Sequence, residues 1–319
     1  RINLGAIPVS ERENLADRFR FVELGSTRFL VPETVSPTRT AGAGKAVLLG
    51  GVQYEPDSGA IRAANVDVKN MEIASRGELA FEKTDPTARG GSWSYLPWTK
   101  KEIDAIAPLL KAAGLQPDIR TGFSATEEYV KSTGSATARN QPSPRILHIA
   151  THGYFFPDTA PPDSPVEGGD AVSTAFKISE HPMIRSGLLL AGANHAWKTG
   201  KPVAGGLEDG VLTAYEISQL DLSNTELVVL SACETGLGDI RGNEGVYGLQ
   251  RAFKIAGAKY LIMSLWQVPD FQTQELMTAF YGKWLSDKMT IPEAFQAAQR
   301  DMRRKYEHPY FWAGFVLVE

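Results

Sequence analysis

Apolar residues fall along the chain in short continuous blocks, separated by segments whose apolar positions recur every three or four residues. Lys45-Ala-Val-Leu-Leu-Gly-Gly is a brief apolar run stopped by glycines, the pattern of a strand buried on both faces. Arg145-Ile-Leu-His-Ile-Ala-Thr-His152-Gly, Leu227-Val-Val-Leu-Ser-Ala-Cys233 and residues 259–265 repeat it, and residues 118–120, 183–191 and 311–318 are weaker strand candidates. Between these blocks lie amphipathic faces: Ile103/Ile106/Leu110/Ala113, Val246/Leu249/Phe253/Ala256, Leu276/Ala279/Phe280/Trp284 and Phe295/Ala298/Met302. Thr99–Glu102, Ser124–Glu127 and Thr290–Glu293 read as capping boxes that open helices, and Asn243 as a further cap. Gly114 and Gly257 close two of the helices. Strands alternating with helices predict an α/β fold, a mostly parallel sheet with helices on both faces.

Three stretches break the pattern. Residues 19–22 and 28–31 flank Gly25-Ser26 and could pair as a hairpin, followed by a Pro/Ser/Thr/Gly linker over 34–44. Residues 53–98 read as a polar insertion with an amphipathic piece near 66–82, and residues 154–182 as a long Pro/Asp/Gly loop. The expected organisation is an N-terminal extension or linker over 1–40 and one domain over 41–319.

Composition narrows the function. Hydrophobic residues make up 43% and charged residues 22%, ordinary for a globular chain. A net charge of −4 leaves no footprint for nucleic acid or an anionic membrane surface. No apolar run approaches the roughly 18 residues needed to span a bilayer. The single cysteine excludes an intrachain disulfide, so a reducing, cytoplasmic setting is expected. The first residue is Arg, not Met, and no signal-peptide pattern follows, so a piece of a longer chain is expected.

In parallel sheets ligands bind beyond the carboxyl ends of the strands. Two reactive residues stand there, His152 and Cys233, each followed closely by glycine that lets the backbone turn. A thiol becomes a useful nucleophile when an imidazole removes its proton, and the resulting oxyanion needs amide donors; the amides of Gly153 and Cys233 are the candidates. A cysteine at the end of an apolar strand is also what an inert, buried side chain looks like.

Other features are set aside. His148 and His152 have zincin spacing, but they lie in a strand without the intervening Glu. Gly42-Ala-Gly-Lys45 lacks the first glycine and the final Ser/Thr of a P-loop and precedes its strand. Arg300-Asp-Met-Arg-Arg-Lys305 is explained by the helix dipole.

His-Ile-Ala-Thr-His152-Gly-Tyr-Phe, Leu-Ser-Ala-Cys233-Glu-Thr-Gly, Asn243-Glu-Gly-Val-Tyr-Gly-Leu-Gln-Arg-Ala-Phe and Ser264-Leu-Trp-Gln-Val-Pro-Asp270 resemble, in order, the motifs of CHAT domains. CHAT domains belong to the caspase and separase superfamily of cysteine peptidases and are common in bacteria, so the resemblance implies part of a longer bacterial protein. The resemblance covers about residues 40–319. It implies a caspase-haemoglobinase-like fold with a sheet of about six strands, the last antiparallel. It implies a cysteine endopeptidase with a His152–Cys233 dyad, Gly153 as the main oxyanion donor, and neither metal nor organic cofactor. It implies a protein or peptide substrate, and a TPR-type or other sensor module, in the same or a partner chain, that switches activity in signalling or defence. Asp270, in a segment similar to one in separases, is the candidate acid for a basic P1 residue, with Glu234 as a second; Gln267 stands where separases tend to carry an acid. Asp270 could equally cap a helix. Two other readings stay open: a scaffold or signalling module that cleaves nothing, and a non-proteolytic thiol hydrolase or acyltransferase.

Overall fold

The computed structural model describes residues 3–10, 13–19, 44–68, 91–135, 142–155, 182–234, 244–266 and 268–319. The expected hairpin, the linker, most of the amphipathic piece, the loop after residue 155, the stretch after Glu234, Asn243 and Gln267 fall outside them.

The apolar blocks form the strands β1 (Lys45–Val52), β2 (Gln116–Gly122), β3 (Ile146–Phe155), β4 (Ser186–Leu189), β5 (Val211–Thr213), β6 (Leu227–Glu234), β7 (Tyr260–Ser264) and β8 (Phe315–Val318). The helices are α1 (Leu15–Arg18), α2 (Ser58–Ala64), α3 (Pro97–Ala112), α4 (Glu127–Thr133), α5 (Ala193–Thr199), α6 (Ala214–Ser218), α7 (Glu244–Ile255), α8 (Asp270–Tyr281) and α9 (Ile291–Lys305). The main path of the sheet runs β2-β1-β3-β6-β7-β8; its neighbours are parallel except for antiparallel β8. Beyond these six, β4 pairs antiparallel with β3 and β5 antiparallel with β4, so the described residues form an eight-stranded sheet where about six strands were expected.

Alternation along the strands sends successive side chains to opposite faces. Val47, Leu49, Leu147, Ile149, Val228 and Leu230 pack on one face against α4, α5, α6 and α7. Ala46, Leu48, Ile146, Ala150, Leu227 and Val229 pack on the other against α3, α8 and α9. The result is three layers, helix on sheet on helix. Among the described residues no helix is long and apolar enough to cross a membrane.

Two caps differ from expectation. The Thr99–Glu102 box does not form: α3 begins at Pro97, and the Thr99 hydroxyl donates to the Leu96 carbonyl while accepting the Gly51 amide at 2.8 Å. A Cβ on Gly50 would sit 2.5 Å from the Thr99 carbonyl oxygen, so only glycine lets α3 approach β1 this closely. The Ser124 box also fails: Thr126 caps α4, and Ser124 closes the preceding turn onto Thr121. Thr99 is taken up by a tertiary partner and Ser124 by the turn that precedes the helix, and both expected box glutamates, Glu102 and Glu127, are buried. The Thr290–Glu293 box forms as expected.

Candidate active site

Strand β3 does not stop at His152. It runs three residues further, and Gly153 lies in extended backbone. A Cβ there would meet only ordinary contacts, so no turn demands this glycine. Beside it β1 has already ended. Its place is taken by β4, which pairs with β3 at Gly153, Tyr154 and Phe155. On the other side His152 is the register partner of Cys233, and Gly153 that of Glu234. Neighbouring strands lie about 4.8 Å apart, so parallel pairing alone makes the imidazole-bearing and thiol-bearing residues adjacent.

The surroundings of His152 specify its chemistry. The residue is 3% exposed. Its ring packs between Tyr54 and Trp93, each with its ring centroid 5.0 Å away. Nε2 lies 2.8 Å from the carbonyl oxygen of Ser94. A carbonyl only accepts, so we assign the proton to Nε2, which leaves Nδ1 as the basic nitrogen of the neutral ring. Burial pulls the imidazole pKa below its ordinary value, and the Ser94 bond offsets part of this. The ring is therefore a neutral base near pH 7.

Each wall of this pocket is itself held. The Thr151 hydroxyl donates to the Leu189 carbonyl, so the Tyr54 phenol, 2.8 Å from that hydroxyl, must be the donor to it. Trp93 packs edge-on against Trp197. Asn194, buried on α5, accepts the Trp93 amide at 2.8 Å and donates to the Trp93 carbonyl at 3.1 Å. The Trp93-Ser94 segment is thus pinned by backbone bonds before it enters α3.

A family model described as "CHAT domain" matches residues 33–319. The chain belongs to the CHAT domain family. Among curated proteins it is similar to tetratricopeptide repeat protein 28 of Mus musculus, at 28% identity over 229 residues, 71% of this chain and 9% of that protein. The Homo sapiens protein of the same name is 28% identical over 232 residues, 71% of this chain and 8% of that protein. The chain therefore spans less than a tenth of the length of the curated relatives it matches. Among solved structures, the Arg specific cysteine proteinase gingipain R aligns over 83% of this chain and 52% of that one, with 12% identity and a TM-score of 0.39.

The CHAT domain places Asp270 at the first position of α8, where Pro269 is the cap residue and no side chain caps the helix. Asp270 is partly buried. Its pKa is raised by burial and then by the charge of Glu102, and its own charge is felt by the Tyr54 phenol. Asp270 therefore lies within electrostatic reach of the His152 pocket wall. The side chains of Cys233 and Glu234 lie outside the described residues. Sequence reasoning missed Tyr54, Trp93, Ser94 and Asn194. Trp93 and Tyr95 in an otherwise polar stretch were the available signal; nothing local marks a carbonyl such as that of Ser94 as a partner for His152.

Among the described residues one trio could offer ligands to a metal: Glu127, Glu208 and Glu216. The ammonium of Lys131 already lies 2.7, 3.0 and 2.8 Å from their oxygens, so a cation of this chain's own satisfies them.

Proposed function

We propose that this CHAT domain is a cysteine endopeptidase in which His152 and Cys233 form the dyad. The observation that carries this reading is the pairing of His152 with Cys233 across β3 and β6, with Ser94 holding the imidazole as the Nε2–H tautomer. In this reading Nδ1 takes the thiol proton of Cys233. The thiolate adds to the scissile carbonyl, and the amides of Gly153 and Cys233 donate to the oxyanion. The imidazolium returns its proton to the leaving amine as the C–N bond breaks, giving an acyl-enzyme. Water, deprotonated by the same nitrogen, then releases the acid and the thiol. Asp270 is the proposed acid for a basic P1 side chain, with Glu234 as a second.

A panel of fluorogenic peptides with P1 Arg, Lys, Leu or Asp tests this reading, with the chain alone and with a TPR-type module supplied in the same or a partner chain. Cleavage falling about a thousandfold or more in Cys233→Ala and His152→Ala is the expected result. Preference for Arg or Lys supports Asp270, and preference for Asp or Leu removes it. The similarity to two proteins named for tetratricopeptide repeats favours a second reading, a non-catalytic signalling module. Absence of cleavage, together with no labelling of Cys233 by an acyloxymethyl ketone in the presence of the module, would establish that reading instead.

A further inference from the structure

Beneath the proposed dyad, on the face of the sheet covered by α3 and α8, four polar side chains are buried together. Glu102 of α3 lies 2.9 Å from His148 Nε2 through Oε1 and 2.9 Å from the Ser231 hydroxyl through Oε2. His148 Nδ1 lies 3.2 Å from the Tyr281 hydroxyl. Burial and the neighbouring Glu102 charge push the Tyr281 phenol well up, so it keeps its proton and donates to Nδ1. His148 then carries its proton on Nε2 and donates to Glu102, as Ser231 also does. Every hydrogen in the network is used once: those of His148 and Ser231 meet on the Glu102 carboxylate, and that of Tyr281 fixes the His148 ring that donates to it.

The placement of these donors is informative. His148 stands four residues before His152 on β3, and Ser231 two residues before Cys233 on β6, about 13 and 7 Å along the strands. Glu102 lies on the helix whose leader supplies the Ser94 carbonyl to His152. Apolar packing of Ile103, Ile106 and Leu110 holds α3 to the sheet, but such packing is non-directional and does not by itself set rotation or height. Hydrogen bonds from one carboxylate to two adjacent strands do set them. The Thr99 hydroxyl, bound to the Gly51 amide, adds a third directional tie one turn earlier.

We infer that Glu102 is a positioning residue: its buried carboxylate keys α3 to the two strands that carry His152 and Cys233, and so holds the Ser94 carbonyl on His152. This rests on reading His152 as the base of Cys233. A purely structural role predicts a loss of stability alone. A positioning role predicts that His152 and Cys233, four and two residues beyond the strand partners of Glu102, respond as well.

The single cysteine makes the test clean, because alkylation of the chain by iodoacetamide reports Cys233 alone. Its rate is measured from pH 5 to 9 in wild type, Glu102→Ala and Glu102→Gln, alongside solvent exchange of the His152 Nε2 proton by NMR and the melting temperature. In Glu102→Ala alkylation near neutral pH is expected to fall about tenfold or more, and Nε2–H exchange to accelerate. Glu102→Gln, which keeps one acceptor, recovers most of both. Should Glu102→Ala fail to fold, a threefold or so slowing with faster Nε2–H exchange in Glu102→Gln carries the inference. Wild-type alkylation and exchange in every folded variant, with only the melting temperature lowered, overturns it. If wild type proves to have no peptidase activity, protection of Nε2–H that is lost in Glu102→Ala still supports the positioning role, so the two readings fail separately.

Discussion

One face of the sheet buries a cluster of carboxylates and the other a single one, and the two are satisfied in different ways. On the α4–α6 side, Glu127, Glu208 and Glu216 surround Lys131, whose side chain is 0% exposed. Burial alone would lower the lysine pKa; the charges of Glu127, Glu216 and Glu208 outweigh it and raise it. Glu127 also accepts the Gly210 amide and Glu128 that of Glu208, so the cluster fastens the segment leading into β5. On the α3–α8 side, Glu102 faces no cation at hydrogen-bond distance among the described residues and is satisfied by His148 and Ser231. The first cluster braces the segment leading into β5, whose partner β4 pairs with β3 at Gly153; the second braces α3, whose leader reaches His152. The difference teaches that a buried charge can be held either by an opposite charge or by directional hydrogen-bond donors that demand exact partners.

Removing the cation should have the largest effect. Lys131→Met leaves three carboxylates with no countercharge and is expected to cost about 3–5 kcal/mol in urea unfolding at pH 7. The loss should shrink at pH 5, where the carboxylates can take up protons; an equal loss at both pH values would break the charge-balance account.

Removing one neutral donor should cost less. Ser231→Ala takes away a hydrogen bond to a carboxylate and is expected to lower stability by about 1.5–3 kcal/mol. Tyr281→Phe, which leaves only the His148 nitrogen without a donor, is expected to cost about 1 kcal/mol. A larger loss for Tyr281→Phe than for Ser231→Ala would mean that the hydrogens do not converge on Glu102 as assigned.

The pH response of the lysine cluster should be smaller still. Burial, then the charge of Glu127, pushes the Glu208 pKa up to about 7. Its folded value lies above its unfolded one, so the folded state holds the extra proton, and stability falls as pH rises from about 4.5 to 7. Glu208→Gln should flatten that slope and stabilise the chain at pH 8 by on the order of 1 kcal/mol, allowing for solvent screening of a carboxyl that is partly exposed. Melting curves across pH check the sign: a mutant less stable than wild type at pH 8 contradicts it.

The smallest expected effect is kinetic. His152 titrates below the ordinary histidine value of about 6.5, so the acid limb of Cys233 alkylation should lie below that pH. Because thiol and imidazole titrate together, the limb belongs to the pair. Trp93→Ala admits water to the ring and should move the limb up toward 6.5. No movement would mean that burial between Trp93 and Tyr54 is not what depresses the imidazole.

Most of the sheet was legible because its signal is local. β1, β3, β6 and β7 are continuous apolar runs, and α8 and α9 carry helix-spaced faces that read correctly. The boundaries read less well. β3 was expected to end at His152 because a glycine follows, yet β4 extends the ladder there, and no residue near 153 announces a partner that lies more than thirty positions away. Glu102 and Glu127 were read as capping residues because their spacing from Thr99 and Ser124 fits that motif. Each instead turns inward: Glu102 to His148 and Ser231, and Glu127 to the Gly210 amide as well as to Lys131 one turn on along its own helix.

By itself, then, the sequence determined the alternation of strands and helices, the two reactive residues near the ends of two apolar strands, and the motifs by which the family is known. These depend on periods of two and 3.6 residues and on short runs of neighbours, and such patterns are set within a single element. Only the tertiary structure decided that Ser94 holds Nε2, that Tyr54 and Trp93 bury the ring, and that Glu102 binds two strands at once. These are contacts between residues 46 to 129 positions apart. Their geometry comes from strand register and helix docking, which arise when separate elements pack together and are written in no local stretch of the chain.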